Sequence, residues 1–172
     1  MTTIVVTGPE STGKTLISEY LARELNGYWI PEFAREYITE INRPYTYHDL
    51  EIIAETQIIQ RNKAETKHKG YIILDTWLII TKIWFIEVYG TYPGWLDEAI
   101  RDQPVDLYLL CEPDIPWIPD PVRENGGERR KYLFDRYLYE IRQTKVPYEF
   151  VSGINEERFI NALNKVKQHF ID

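Results

Sequence analysis

Apolar positions along this chain follow two alternating periods: short unbroken runs rich in β-branched residues, and longer stretches that repeat every three or four residues. Thr2–Thr7 is the first short run, stopped at Gly8, and it reads as a buried strand. From Lys14 to Leu25, residues Leu16, Ile17, Tyr20, Leu21 and Leu25 recur at helical spacing until Asn26-Gly27 closes them. Tyr28–Ile30 predicts a short second strand ended by Pro31, and Phe33–Ile41 a helix broken at Asn42-Arg43-Pro44. A long helix opens at Tyr47-His48-Asp49, with Leu50, Ile53, Ala54, Gln57, Ile58 and Arg61 at spacings of three and four. It fades through a charged stretch, 63–69, to Gly70. Tyr71–Leu74 is a strand ending in Asp75-Thr76, Leu78–Tyr89 a strongly apolar helix, Trp95–Arg101 a shorter one, and Val105–Cys111 a strand. Pro113, Pro116, Pro119 and Pro121 exclude a regular element, and Gly126-Gly127 leads into a helix from about Glu128 to about Gln143. Tyr148–Val151 and Glu156–Phe170 are the last strand and helix.

Strands and helices therefore alternate, which predicts an α/β fold with helices on both faces of a parallel sheet of five strands. With 172 residues, 44% of them apolar, the chain suits one domain spanning 1–172. The net charge of −7 argues against a nucleic-acid partner, and no apolar stretch approaches a bilayer span. The single cysteine, Cys111, rules out a disulfide framework. No basic segment precedes the first apolar run, so a cytoplasmic setting is expected. The histidines His48, His68 and His169 form no cluster in the sequence.

The chemistry begins between the first strand and first helix. Gly8-Pro9-Glu10-Ser11-Thr12-Gly13-Lys14-Thr15 has the spacing of a phosphate-binding loop. Glycines let the backbone wrap an anion, and the helix N-terminus adds its positive end. Lys14 is expected at the β and γ phosphates of ATP, and the Thr15 hydroxyl at Mg²⁺.

Loops at the carboxyl ends of parallel strands surround one crevice, so residues after the other strands are candidates for the acceptor side. Glu32, after the second strand, could bind or deprotonate a hydroxyl, and Arg35 one turn later could steady an oxygen. The bland alternative is a helix-capping acid with an ion pair on a solvated face. Asp75 ends an apolar strand and is a candidate for Mg²⁺ or for the acceptor hydroxyl, the alternative being a helix cap. Asp106, which starts a strand, reads as structural. Phe33, Tyr37 and Trp77 are aromatics placed near strand ends, whereas Trp84 fits a core face. Residues 112–130 carry Arg123, Arg129 and Arg130 around glycines, as expected of a lid that closes on ATP; which arginine serves the transferred phosphoryl is left open.

Taken in order, these blocks resemble the ribosylnicotinamide kinase domain of the NadR-type bacterial NAD-salvage proteins, a nucleoside-kinase-like member of the AAA-type ATPases. The resemblance rests on the loop at 8–15, Pro-Glu-Phe-Ala-Arg-Glu-Tyr at 31–37, Asp75-Thr76 with Ile80-Thr81 and Tyr89-Gly90, Pro119-Asp120-Pro121-Val122-Arg123, and Lys145-Val146-Pro147-Tyr148. It implies a three-layer P-loop fold and transfer of phosphate from MgATP to the 5′-hydroxyl of nicotinamide riboside. A kinase for another nucleoside or nucleotide, or a P-loop ATPase acting as a regulatory switch, are the alternatives. The chain starts directly at the P-loop strand and has no His-x-Gly-His segment, so no adenylyl transfer is expected.

Overall fold

The computed structural model describes residues 1–118 and 126–170. Five parallel strands form one sheet: β1 (Thr2–Thr7), β2 (Tyr28–Ile30), β3 (Tyr71–Asp75), β4 (Leu107–Cys111) and β5 (Tyr148–Val151), in the order β2-β3-β1-β4-β5. The helices are α1 (Lys14–Glu24), α2 (Phe33–Ile41), α3 (Tyr47–Lys67), α4 (Leu78–Tyr89), α5 (Trp95–Asp102), α6 (Glu128–Thr144) and α7 (Asn155–Phe170).

Successive strand side chains point to opposite faces, so each strand feeds two cores. Val5, Ile72, Leu74, Tyr108 and Leu110 pack with Leu50 and Ile53 of α3, Ile79 and Phe85 of α4, and Ile141 of α6. Ile4, Val6, Ile73, Leu107 and Leu109 pack against Ile17 and Leu21 of α1 and Ala162 and Val166 of α7. That division makes three layers. Continuous apolar runs, rather than alternating ones, are what strands buried on both faces require.

Two differences from the periodicity have clear causes. The fourth strand begins at Leu107, not Val105, because Asp106 turns its carboxylate onto the Thr3 N–H (2.7 Å) and its own N–H onto the Thr3 carbonyl (2.9 Å). Arg61 occupies a helical core position as a buried cation. It donates to Glu65 (3.0 Å), to Gln103 (3.0 Å) and to the Pro104 carbonyl (3.2 Å), tying α3 to the loop before β4.

Strand order reverses at β1, whose neighbours are β3 and β4. The crevice beyond the carboxyl end of β1 is therefore where a ligand is expected in such a sheet. Thr7, Ile30, Asp75, Cys111 and Val151 end the strands on that side. Among the described residues, no helix is long and apolar enough to cross a membrane.

Candidate active site

Residues 8–15 close a loop over the end of β1. Gly8 (φ 138°) lies so close to β4 that an added Cβ would sit 2.7 Å from the Cys111 carbonyl oxygen. Only glycine fits there. Gly13 caps α1 in a left-handed conformation (φ 77°) without a side-chain cap, so the first N–H groups of the helix remain for an anion. Ser11, also at positive φ (57°), shares the strain that wraps the loop. The Pro9 carbonyl accepts from the Thr12 hydroxyl (2.8 Å) and from Lys14 Nζ (2.9 Å). Lys14 thus rests folded over the loop.

A cavity of about 670 Å³ extends from this loop, a volume typical of small-molecule sites. Gly8, Glu10, Ser11, Thr12, Gly13, Lys14 and Thr15 line one end. The wall beyond includes Glu32, Arg35, Tyr45, Trp84, Glu87 and Arg129. The sequence-predicted loop, Glu32, Arg35 and Arg129 are therefore brought into one space.

Glu32 is the N-cap residue of α2, yet its side chain makes no capping hydrogen bond. It stands at the cap position and also lines the cavity. Asp75 does not cap α4, whose N-cap is Trp77. Asp75 is only 2% exposed; the Thr15 hydroxyl lies close to it, but among the described residues neither carboxylate oxygen has a partner in good hydrogen-bond geometry. Burial, and secondarily the nearby negative Glu32, push its pKa up to about 6; Thr15, Lys14 and Arg35 offset this only in part. An orphaned buried carboxylate beside a threonine hydroxyl is a donor set suited to a hard divalent cation such as Mg²⁺. The next residue, Thr76, is held at φ 70° with its N–H on the Val6 carbonyl (2.9 Å). That conformation is unusual for a β-branched residue, and it turns the chain sharply at the end of the strand.

Several sequence expectations are relocated. Trp77 is 1% exposed and belongs to the core under the sheet, so it supplies no cavity wall. Phe33 and Tyr37 pack against the same core, with rings 5.7 Å apart, and Tyr37 donates its hydroxyl to Asp49 (2.8 Å). Arg130 is buried, its guanidinium holds backbone carbonyls of Ile115 (3.0 Å) and Ser11 (3.2 Å), and it lines a second cavity of about 420 Å³ with Glu112, Asp114 and Lys131. Arg123 lies outside the described residues.

The aromatic wall comes from residues that periodicity did not select. Tyr45 and Trp84 meet edge to face at 4.8 Å, with Ile80, Ile83 and Val88 beside them. Glu87, one turn beyond Trp84, receives Arg129 Nη2 (2.7 Å) and the Tyr132 hydroxyl (2.8 Å). Arg43 also lines the cavity and is held by Asp49 through two hydrogen bonds, at 2.7 and 2.9 Å. A stripe of Ile80, Trp84, Glu87 and Val88 along α4 was the available signal, since a helix apolar on all sides must face something besides the sheet.

The fold is shared with known proteins. The model of the AAA domain family matches residues 3–158. The trifunctional NAD biosynthesis/regulator protein NadR is 23% identical over 174 residues in Salmonella typhimurium and 25% over 175 in Escherichia coli. Each alignment covers 96% of this chain but 42% of the relative, so the chain spans less than half the length of these proteins. Among solved structures, a NadR protein in complex with NR superposes with a TM-score of 0.82 at 22% identity, covering 98% of this chain and 51% of that one. A deoxyadenosine kinase from M. mycoides superposes at 0.69 with 15% identity, covering 96% and 99%. The likenesses fix a P-loop, nucleoside-kinase-like fold, and the family match over most of the chain shows that this protein belongs to the AAA domain family.

Proposed function

We propose that this protein is an ATP-dependent kinase that phosphorylates the 5′-hydroxyl of nicotinamide riboside. The observation that carries the reading is a cavity that joins a phosphate-binding loop to a chamber walled by Tyr45 and Trp84 and edged by Glu32 and Arg35. A flat ring fits between aromatic and aliphatic faces, while carboxylates suit ribose hydroxyls and a positively charged ring.

In this scheme the loop N–H groups and Lys14 hold the triphosphate. Glu10 and Arg129 face the same space. The acceptor 5′-oxygen forms a bond to the γ-phosphorus as the bond to the β,γ-bridging oxygen breaks, giving the phosphorylated nucleoside and ADP. Glu32, on the cavity wall and making no capping hydrogen bond, takes the hydroxyl proton. Thr15 and Asp75 are the residues that would hold Mg²⁺, which neutralises phosphate charge when bound. Arg35 orients the acceptor, and Arg129 faces the negative charge of the transferring group.

A second reading, a kinase for another nucleoside, is favoured by the superposition on deoxyadenosine kinase over nearly the whole of both chains. An acceptor screen separates the two. ATP consumption is measured with nicotinamide riboside, uridine, thymidine and deoxyadenosine, and without acceptor. Stoichiometric formation of nicotinamide mononucleotide is expected. Preference for a neutral nucleoside moves the assignment to that substrate, and acceptor-independent hydrolysis alone would leave a P-loop ATPase switch.

A further inference from the structure

Arg158, in the first turn of α7, is 3% exposed and is not itself one of the residues that line the cavity. Its guanidinium reaches three separate loops. Nε donates to the Thr12 carbonyl (3.1 Å), Nη2 to the Glu112 carbonyl (2.7 Å), and Nη1 to the Gly153 carbonyl (2.9 Å) and the Asp114 carboxylate. A buried cation is unfavourable unless hydrogen-bonded, and only the planar fork of arginine reaches so many acceptors at once. A carboxylate partner would satisfy the charge. The three carbonyls show what the fork holds in place: the P-loop after β1, the segment after β4 and the turn after β5.

The consequence for the P-loop follows from peptide geometry. A trans peptide is planar, with C=O and N–H pointing in opposite directions. Fixing the Thr12 carbonyl on the arginine therefore turns the Gly13 N–H away from it. Thr12 and Gly13 line the cavity and Arg158 does not, so this N–H is directed to the phosphate side. Arg130 repeats the arrangement one peptide earlier by holding the Ser11 carbonyl (3.2 Å) and tying it to Ile115 (3.0 Å).

We infer that Arg158 is a positioning residue for triphosphate binding: from behind the loop it sets the peptide plane that aims Gly13 N–H at the anion, and it locks that plane to the ends of β4 and β5. The inference rests on the ATP-binding reading above, and the test separates the two. Affinities for ATP and for nicotinamide riboside are measured by calorimetry, with thermal stability, for wild type, Arg158→Lys and Asp114→Asn. Arg158→Lys keeps the charge and loses the fork. ATP binding should weaken by roughly 10- to 100-fold, the range found when groups supporting an ion's direct ligands are removed, with acceptor affinity within about threefold of wild type. Asp114→Asn, which leaves the carbonyl contacts, should lose stability but keep ATP binding within about threefold. ATP affinity in Arg158→Lys within threefold of wild type overturns the inference. So does a failure of that variant to fold while Asp114→Asn binds ATP normally, since the arginine would then serve folding. A wild-type protein that binds no ATP sinks the kinase reading instead.

Discussion

Asp75 meets two opposed demands. The site needs a carboxylate at the end of β3, and the fold needs that position dry. With no ligand present, its pKa of about 6 lies above the ordinary 3.8, because burial and then Glu32 disfavour the charge. The folded chain thus binds more protons than the unfolded chain between about pH 4 and 6. The stability contributed by the protonated group is full below pH 4 and lost as pH rises through 6. Two pKa units correspond to about 3 kcal/mol at most. Asp75→Asn should therefore raise the melting temperature of the ligand-free protein at pH 7.5 by on the order of 5 °C, with the gain gone at pH 4, while kinase activity collapses. An equal gain at both pH values would show that charge is not the cause. Lys14→Ala, in the phosphate-binding loop, should lower kcat by roughly 10²- to 10³-fold, as when one donor to a developing anion is lost. Near-normal turnover would remove the P-loop from the mechanism.

The elements were legible where one physical signal dominated. Strands buried on both faces show as unbroken β-branched runs, and Gly8 marks the loop because a side chain there would meet the Cys111 carbonyl, while Gly13 takes a left-handed conformation that glycine adopts most easily. Legibility failed where placement depends on distant partners. Trp77 follows Asp75 in sequence, but the sharp turn at Thr76 sends it into the core. An all-apolar α4 does not reveal which stripe meets the sheet and which, with Trp84, meets the cavity. Nothing in the sequence singles out Arg158, since its partner Thr12 is 146 positions away. The start of α3 is another such case. Asp49 closes a capping box with Thr46, receives Tyr37 (2.8 Å) from α2, and clamps Arg43 at the cavity edge. This network holds Asp49 well below the usual carboxylate range, chiefly through Arg43. Asp49→Ala should destabilise the fold by about 2 kcal/mol, combining a lost cap with the half-buried Tyr37 hydroxyl left unpaired. It should also raise the acceptor KM by freeing the segment that carries Tyr45. Denaturant unfolding and acceptor kinetics check both parts, and an unchanged midpoint would show that the α2–α3 junction is held by apolar packing alone.

At the scale of the whole molecule, charge sorts the two substrates. The chain carries a net charge of −7, yet the loop end of the cavity concentrates Lys14 and helix N–H groups for an anion. Beyond the loop, cations and carboxylates alternate: Arg43 is matched by Asp49 and Arg129 by Glu87, while Glu32 edges the acceptor chamber. With Arg35 set against Glu32, the described residues of that chamber present no net positive charge to a second phosphate, and the chain as a whole is negative. The resulting field draws a cation inward at low ionic strength and loses its reach once the Debye length falls below the size of the domain. A positively charged nucleoside should accordingly bind more weakly as salt rises. Between about 0.02 and 0.3 M salt, with MgATP saturating, the KM for nicotinamide riboside should rise severalfold, while that for uridine or thymidine stays nearly level. Trp84→Ala should raise the KM for nicotinamide riboside by roughly tenfold, consistent with losing a cation–aromatic contact and its packing, without altering this salt slope. The two tests are independent because one acts at contact distance and the other across the molecule. Parallel salt curves for cationic and neutral acceptors would mean that the field plays no part in choosing the substrate, and that the aromatic wall discriminates by shape.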